Sequence, residues 1–306
     1  APRPIPKGFA QLESIQNVQS ADWQNPIITD TQNYRVTTTT NRIIGERVGL
    51  FMEQALVQYQ QVTGLFPQKL SPMNISIYAH RKHYEKEARR LGLPGRLSTG
   101  FYSPEPPAAM HVPWVQDKID HPLLTMIHEG FHQFAHQAAL ADKQLNPFGQ
   151  AATQPVLFPL WLNEGLAQFM EGAVVTDLEL DVGRIHQARL VHLQQLIRSG
   201  KCPGLEDVLS RRYGEPFSNA DYSVAWGLTF ALFHGWDGRG QWSGENLLQP
   251  YIAKLGSRSK IGFVDGRAKQ GWVGLLSQQS MVSFGELMEN VRISMTTWEK
   301  SWQKVM

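Results

Sequence analysis

The stretch Thr125-Met126-Ile127-His128-Glu129-Gly130-Phe131-His132-Gln133-Phe134 decides how this chain is to be read. Its two histidines stand four positions apart. On an α-helix that spacing leaves about 6 Å of rise and about 40° of rotation between them, so both imidazoles reach one ion. Zinc takes histidine nitrogen at about 2.0 to 2.1 Å, and a catalytic site keeps one position for water, whose pKa the ion lowers toward ~7. Glu129 follows the first histidine, where its carboxylate can face that water without ligating the ion, which makes it the natural general base. Ile127, Phe131, Phe134, Ala135 and Ala138 recur at helical spacing. The motif therefore belongs to a helix, expected over about Pro122 to Ala139, with one face packed in a core. Polar groups clustered there cost a few kcal/mol each if left unpaired, and a bound metal relieves that cost.

A third ligand is expected to be a His, Asp or Glu on a neighbouring element. Trp161-Leu162-Asn163-Glu164-Gly165-Leu166-Ala167-Gln168-Phe169-Met170-Glu171 reads as a helix opening near Pro159 or Trp161. Leu162, Leu166, Phe169 and Met170 form its apolar face, and Gly165 and Ala167 are small enough for another helix to approach closely. Glu164, 32 positions after His132, is the leading candidate. Glu171, two turns later on a similar face, is its rival.

The run H-E-G-F-H at 128–132 followed by W-L-N-E-G-L-A at 161–167 resembles the gluzincin peptidases, in which an H-E-x-x-H helix precedes an N-E-G-x-A helix whose glutamate ligates zinc. More closely, the order of elements from about residue 42 to residue 300 resembles an uncharacterised bacterial family of gluzincins within the peptidase MA-like group. The similarity covers most of the chain, and only the two metal motifs are specific. Carried onto matching positions, it implies His128, His132 and Glu164 as ligands of one Zn2+ ion and Glu129 as base. It also draws attention to Tyr222, since many gluzincins place a tyrosine on a helix after the third ligand to steady the oxyanion, where a phenol donor stabilises developing charge. The competing reading of Tyr222 is a half-buried aromatic opening an amphipathic helix.

The fold so implied is α+β and zincin-like: a small mixed β-sheet with helices packed beside the H-E-x-x-H helix, followed by a mainly helical C-terminal half that completes the cleft. The implied function is zinc-dependent hydrolysis of peptide bonds, with a peptide or protein as substrate, in a protein exported to the periplasm or outside the cell. The aminopeptidase branch carries G-x-M-E-N upstream of its zinc helix, and no match stands there in this chain. Leu287-Met288-Glu289-Asn290 lies downstream and lacks the glycine in register. That departure favours endopeptidase-like action, for which the hairpin expected near Gly100 to Trp114 offers an edge strand to an extended peptide. The alternative is a catalytically silent metal-binding or ligand-binding protein on the same scaffold.

Three regions are expected along the chain. Residues 1–40 form an extended lead-in, Pro-rich and then β-prone from Asn33 through four threonines, a run able to pair with a sheet edge. Residues 41–172 form the catalytic half. It opens with a helix from Asn41 to Gly64, whose Ile44, Val48, Phe51, Ala55, Tyr59 and Val62 share a face. A strand over Asn74 to Ala79, a charged helix over His80 to Leu91 and two short strands about the Pro104 to Pro107 turn follow, and a Pro/Gln/Gly loop at Asn146 to Pro159 separates the two metal helices. Residues 173–306 are mainly helical, over about Val182 to Ser199, Tyr222 to Gly235, Asn246 to Leu255 and Phe284 to the C-terminus.

Bulk properties narrow the function class. Hydrophobic residues at 42% and charged ones at 18% are those of a globular chain. The 29 basic and 27 acidic side chains are interspersed, with a formal charge of only +2, so nucleic acid is not the expected partner. No run approaches the roughly 18 apolar residues of a bilayer-spanning helix. The opening Ala1-Pro2-Arg3-Pro4-Ile5-Pro6 lacks the charged and apolar segments of a signal peptide, and a trimmed export product would begin in the same way. Cys202 is the single cysteine, which excludes a disulfide framework, and no base stands near it in sequence to activate it. His136 is rotated about 80° from His128 and is expected to support the site or face solvent. His80, His83, His186 and His192 are expected as surface or packing residues.

Overall fold

The computed structural model describes residues 21–67, 70, 72–93, 99–114, 122–141, 158–175, 180–258 and 294–306. Outside them lie the Pro-rich opening of the lead-in, most of the Asn146 to Pro159 loop, Leu287 to Asn290 and the start expected at Phe284 for the last helix. The chain divides into two units. One comprises Ala1–Gln60, Pro67–Gln137 and Ala173–Val182, the other Gln61–Phe66, Ala138–Gly172 and Gly183–Met306.

The first unit is built on a five-stranded sheet of β1 (Ile27–Asp30), β2 (Tyr34–Thr38), β3 (Met73–Tyr78), β4 (Phe101–Ser103) and β5 (Ala109–Pro113), in the order β1-β2-β3-β5-β4. The outer pairs are antiparallel and the two inner pairs parallel. A parallel neighbour needs a long crossover. Helix α1 (Arg42–Thr63) supplies it between β2 and β3, and helix α2 (Arg81–Arg90) with β4 supplies it between β3 and β5. Register places Val36, Ile75 and Met110 in one row and Thr38, Ile77 and Val112 in the next, and all six are buried. The inner strands are covered on both faces, so even Ser76 and His111 are buried.

The β-prone run at Asn33 to Thr40, able to pair with a sheet edge, forms β2 against β3, one place inside the sheet with β1 beyond. Only Thr29 of β1 is buried, so those four residues carry no alternation that periodicity can detect. The expected face of α1 is realised, with Ile44, Val48, Phe51, Ala55, Tyr59 and Val62 all buried. Gly64 then ends the helix with φ at +71°, a left-handed conformation that glycine adopts without a Cβ clash. This unit also holds the metal-motif residues of helix α3 (Pro122–Ala141) and a two-stranded pair, β6 (Val174–Val175) with β7 (Leu180–Asp181). Two-residue strands are too short to interrupt a helical reading of the sequence, and this pair was not expected.

The second unit is helical, with α4 (Leu160–Glu171), α5 (Gln187–Arg198), α6 (Leu205–Ser210), α7 (Asn219–Phe233), α8 (Leu248–Arg258) and α9 (Met295–Val305). Helix α5 begins five residues later than the expected Val182, because Gly183 has φ at +82° and His186 is extended at the N-cap. Helix α4 lies directly against α7. A Cβ on Gly165 would stand 2.4 Å from Thr229 Oγ1 and 2.7 Å from the Ala225 carbonyl oxygen, so only glycine permits this approach. Phe169 packs on Phe233, Trp161 on Tyr251, and Trp298 between Trp236 and Trp302. The protein is thus α+β, with one small mixed sheet among the described residues that carries the helices of the first unit. Among those residues no helix is long and apolar enough to cross a membrane.

Candidate metal centre

Helix α3 is oriented by its apolar side. Leu123, Met126, Ile127, Phe131, Phe134, Ala135 and Ala138 are buried, and Gly130 faces α1, where a Cβ would meet Met52 Cε at 2.4 Å and Tyr59 Oη at 2.9 Å. In that space the Tyr59 hydroxyl donates to the Ile127 carbonyl at 2.7 Å. With the helix rotation so fixed, His128, Glu129, His132 and His136 form its half-buried side. Gln133 Nε2 donates to the Asn74 carbonyl at 2.9 Å and ties α3 to β3.

The Nε2 atoms of His128 and His132 are 3.2 Å apart. Ligands held at 2.0 to 2.1 Å on the corners of a tetrahedron stand about 3.3 to 3.4 Å apart, so this pair already has the spacing of two zinc ligands. One ligand atom each of His128, His132 and Glu164 lie within 4.8 Å of one another. Two imidazoles and a carboxylate are a donor set that fits zinc. Glu171, the rival by spacing, has its Oε1 3.8 Å from Nε2 of buried His186. His186 thus has a carboxylate neighbour that linear spacing hides.

Glu129 is held from the sheet. The backbone N–H of Tyr102 in β4 donates to its Oε2 at 2.9 Å. The Tyr102 hydroxyl meets Nδ1 of His136, at 2.5 Å, so one residue of the outer strand spans two turns of α3. Burial pushes the His136 imidazole below its ordinary pKa and the Tyr102 phenol well above its own. His136 thus serves a supporting contact to the edge strand.

On α7, Ser218 and Asp221 form a reciprocal cap: Ser218 N–H donates to Asp221 Oδ2 at 2.7 Å and Asp221 N–H to Ser218 Oγ at 3.2 Å. The helix therefore starts at Asn219, three residues before the expected Tyr222, and the S-x-x-D pattern announces this start. Tyr222 lies in the first turn, half-buried, its ring edge-on to Phe217 and 5.4 Å below the Arg189 guanidinium. Arg189 itself was not singled out from the sequence. Its Nε donates to Gln168 Oε1 and its Nη1 to Asn219 Oδ1. Burial lowers its pKa, opposed by the charges of Glu171, Tyr222 and Glu164.

The remaining candidates have ordinary roles. His192 Nδ1 pairs with Ser223 Oγ at 2.8 Å, and His80 and His83 rest edge to face. The Cys202 thiol is pushed up to about 11 by burial and then by Glu299, which leaves it protonated and unreactive at neutral pH. No protein-family model matches this chain, and no curated protein matches it either.

Proposed function

We propose that the protein is a zinc-dependent peptidase of zincin-like fold, with His128, His132 and Glu164 holding one ion and Glu129 acting as general base. The observation that carries this reading is the convergence of three ligand atoms within 4.8 Å, two of them 3.2 Å apart, next to a carboxylate held by a backbone N–H. A zinc ion in such a site supplies Lewis-acid polarisation of a scissile carbonyl and acidifies water. Glu129 accepts the proton of the attacking water at its carboxylate and returns it to the leaving amine. Tyr102 N–H keeps one carboxylate oxygen fixed, which orients the other.

Strand β4 lies at the edge of the sheet, and with the Tyr102 N–H held by Glu129 the outward Tyr102 carbonyl is the backbone group that an extended peptide would pair with. Tyr222 is the residue assigned to donate to the oxyanion. The test is a zinc-dependent cleavage screen against a diverse peptide library, comparing wild type with Glu129→Gln. Cleavage by wild type alone, abolished by chelation, supports the reading. Zinc binding without cleavage by either protein leaves the silent metal-binding alternative in its place.

A further inference from the structure

We propose that Arg189 is a carboxylate-recognition site next to Glu164, taking the terminal carboxylate or an acidic side chain of a substrate. The proposal rests on the peptide-substrate reading above for what is bound, and on the geometry of α4, α5 and α7 for where.

Gln168 lies one helical turn beyond Glu164, on the same side of α4. Arg189 Nε donates to Gln168 Oε1, which sets the guanidinium on the Glu164 side of α4, near enough for the charge of the third proposed ligand to act on it. It is fixed in three ways. Gln168 holds Nε, Asn219 holds Nη1, and the Tyr222 ring lies 5.4 Å beneath the cationic carbon. A planar group so held has lost its rotational freedom before any ligand arrives.

Glu171 and Glu164 act on its charge only from a distance. Both hydrogen-bond partners are neutral amides, and among the described residues Arg189 makes no ion pair with a carboxylate. Guanidinium carries five N–H donors, of which these two bonds use two. Both N–H groups of Nη2 and the second of Nη1 take no partner among the described residues. Two adjacent nitrogens of this kind match the two oxygens of a carboxylate in a bidentate pair, a match that lysine cannot make. A half-buried arginine that serves only packing ordinarily carries an internal counter-charge. Here Glu171, the foremost acidic neighbour in its field, is itself beside His186.

The test uses the full chain, zinc-loaded and after chelation, and reads binding of fluorescent N-blocked pentapeptide pools by polarisation. One pool is free of Asp and Glu and ends in an amide. A second differs only in a free terminal carboxylate, and a third ends in an amide but contains Asp and Glu. At least one carboxylate-bearing pool is expected to bind wild type about tenfold more tightly than the neutral pool, and which one identifies the source of the carboxylate. Arg189→Met removes the preference in both metal states. Arg189→Lys, which keeps the charge and the fold without the fork, retains only a small part of it.

Equal binding of all pools to wild type overturns the proposal. So does a preference that survives Arg189→Met but disappears on chelation, which would place the carboxylate on the metal. Zinc uptake measured by equilibrium dialysis on the same protein reports separately on the metal reading: wild type that takes up no zinc when it is offered, yet prefers carboxylate through Arg189, sinks that reading and leaves this one standing.

Discussion

The amide of Tyr102 donates to the carboxylate of Glu129, joining the edge strand β4 to the glutamate of the H-E-x-x-H run. The donor belongs to the backbone, so it survives replacement of the tyrosine side chain.

Glu129→Gln preserves size and still accepts from Tyr102 N–H through its amide oxygen. Peptide turnover is expected to fall by about 10² to 10⁴, with zinc stoichiometry unchanged. Metal analysis and cleavage assays on one preparation check this; a variant that cleaves at the wild-type rate removes Glu129 from the mechanism.

Zinc that binds the folded chain alone stabilises it. At free zinc about a hundredfold above the dissociation constant the gain is about 2.7 kcal/mol, seen as a rise in melting temperature that a chelator reverses. His132→Ala and Glu164→Ala should abolish the rise while Glu171→Ala keeps it. A loss of equal size in Glu171→Ala would restore the rival ligand.

Gly165→Ala tests the close approach of α4 and α7. The added methyl meets Thr229 Oγ1 and the Ala225 carbonyl oxygen, and overpacking of this kind costs about 1 to 3 kcal/mol. Thr229→Ala in the same chain removes the first clash but not the second, which is backbone, so denaturant unfolding should show rescue only in part.

His111 predicts an acid limb to stability. Burial lowers its pKa to about 4, from the ordinary 6.5, while its ring stacks on Phe101 and Nδ1 meets the Tyr78 hydroxyl. Below about pH 6.5 the unfolded chain takes up the proton first. The contribution is therefore complete above that value and is lost as pH falls to about 4, reaching about 3 kcal/mol. His111→Gln should flatten the difference between urea midpoints at about pH 7 and about pH 4.5.

What the sequence disclosed followed from what is local in it. His128, Glu129 and His132 are neighbours on one helix, and the apolar faces of α1, α3 and α4 run long enough for a 3.6-residue period to stand out. Gly165 could be read as a close-approach residue because its smallness is a property of the residue itself. The start of α7 was also legible, since Ser218 and Asp221 spell out a cap, but the reading began at the first large apolar residues instead. β1, β6 and β7 are too short to hold a period. Arg189 was beyond reach for another reason: its partners Gln168, Asn219 and Tyr222 come from two other helices, and nothing near position 189 foreshadows them. The bond from Tyr102 to Glu129 likewise joins a strand to a helix 27 positions apart.

Strand β4 has only three residues, between Gly100 and the turn at Pro104 to Pro107. Open sheet edges invite copies of the same protein to add on, and long flat ones seed fibres. Three residues leave too few backbone groups for a second sheet to grip, and the prolines that follow have no N–H to extend the ladder. On the proposed reading, the edge that would receive a peptide is thus too short to become a seam between molecules, and it belongs to the same strand that holds Glu129.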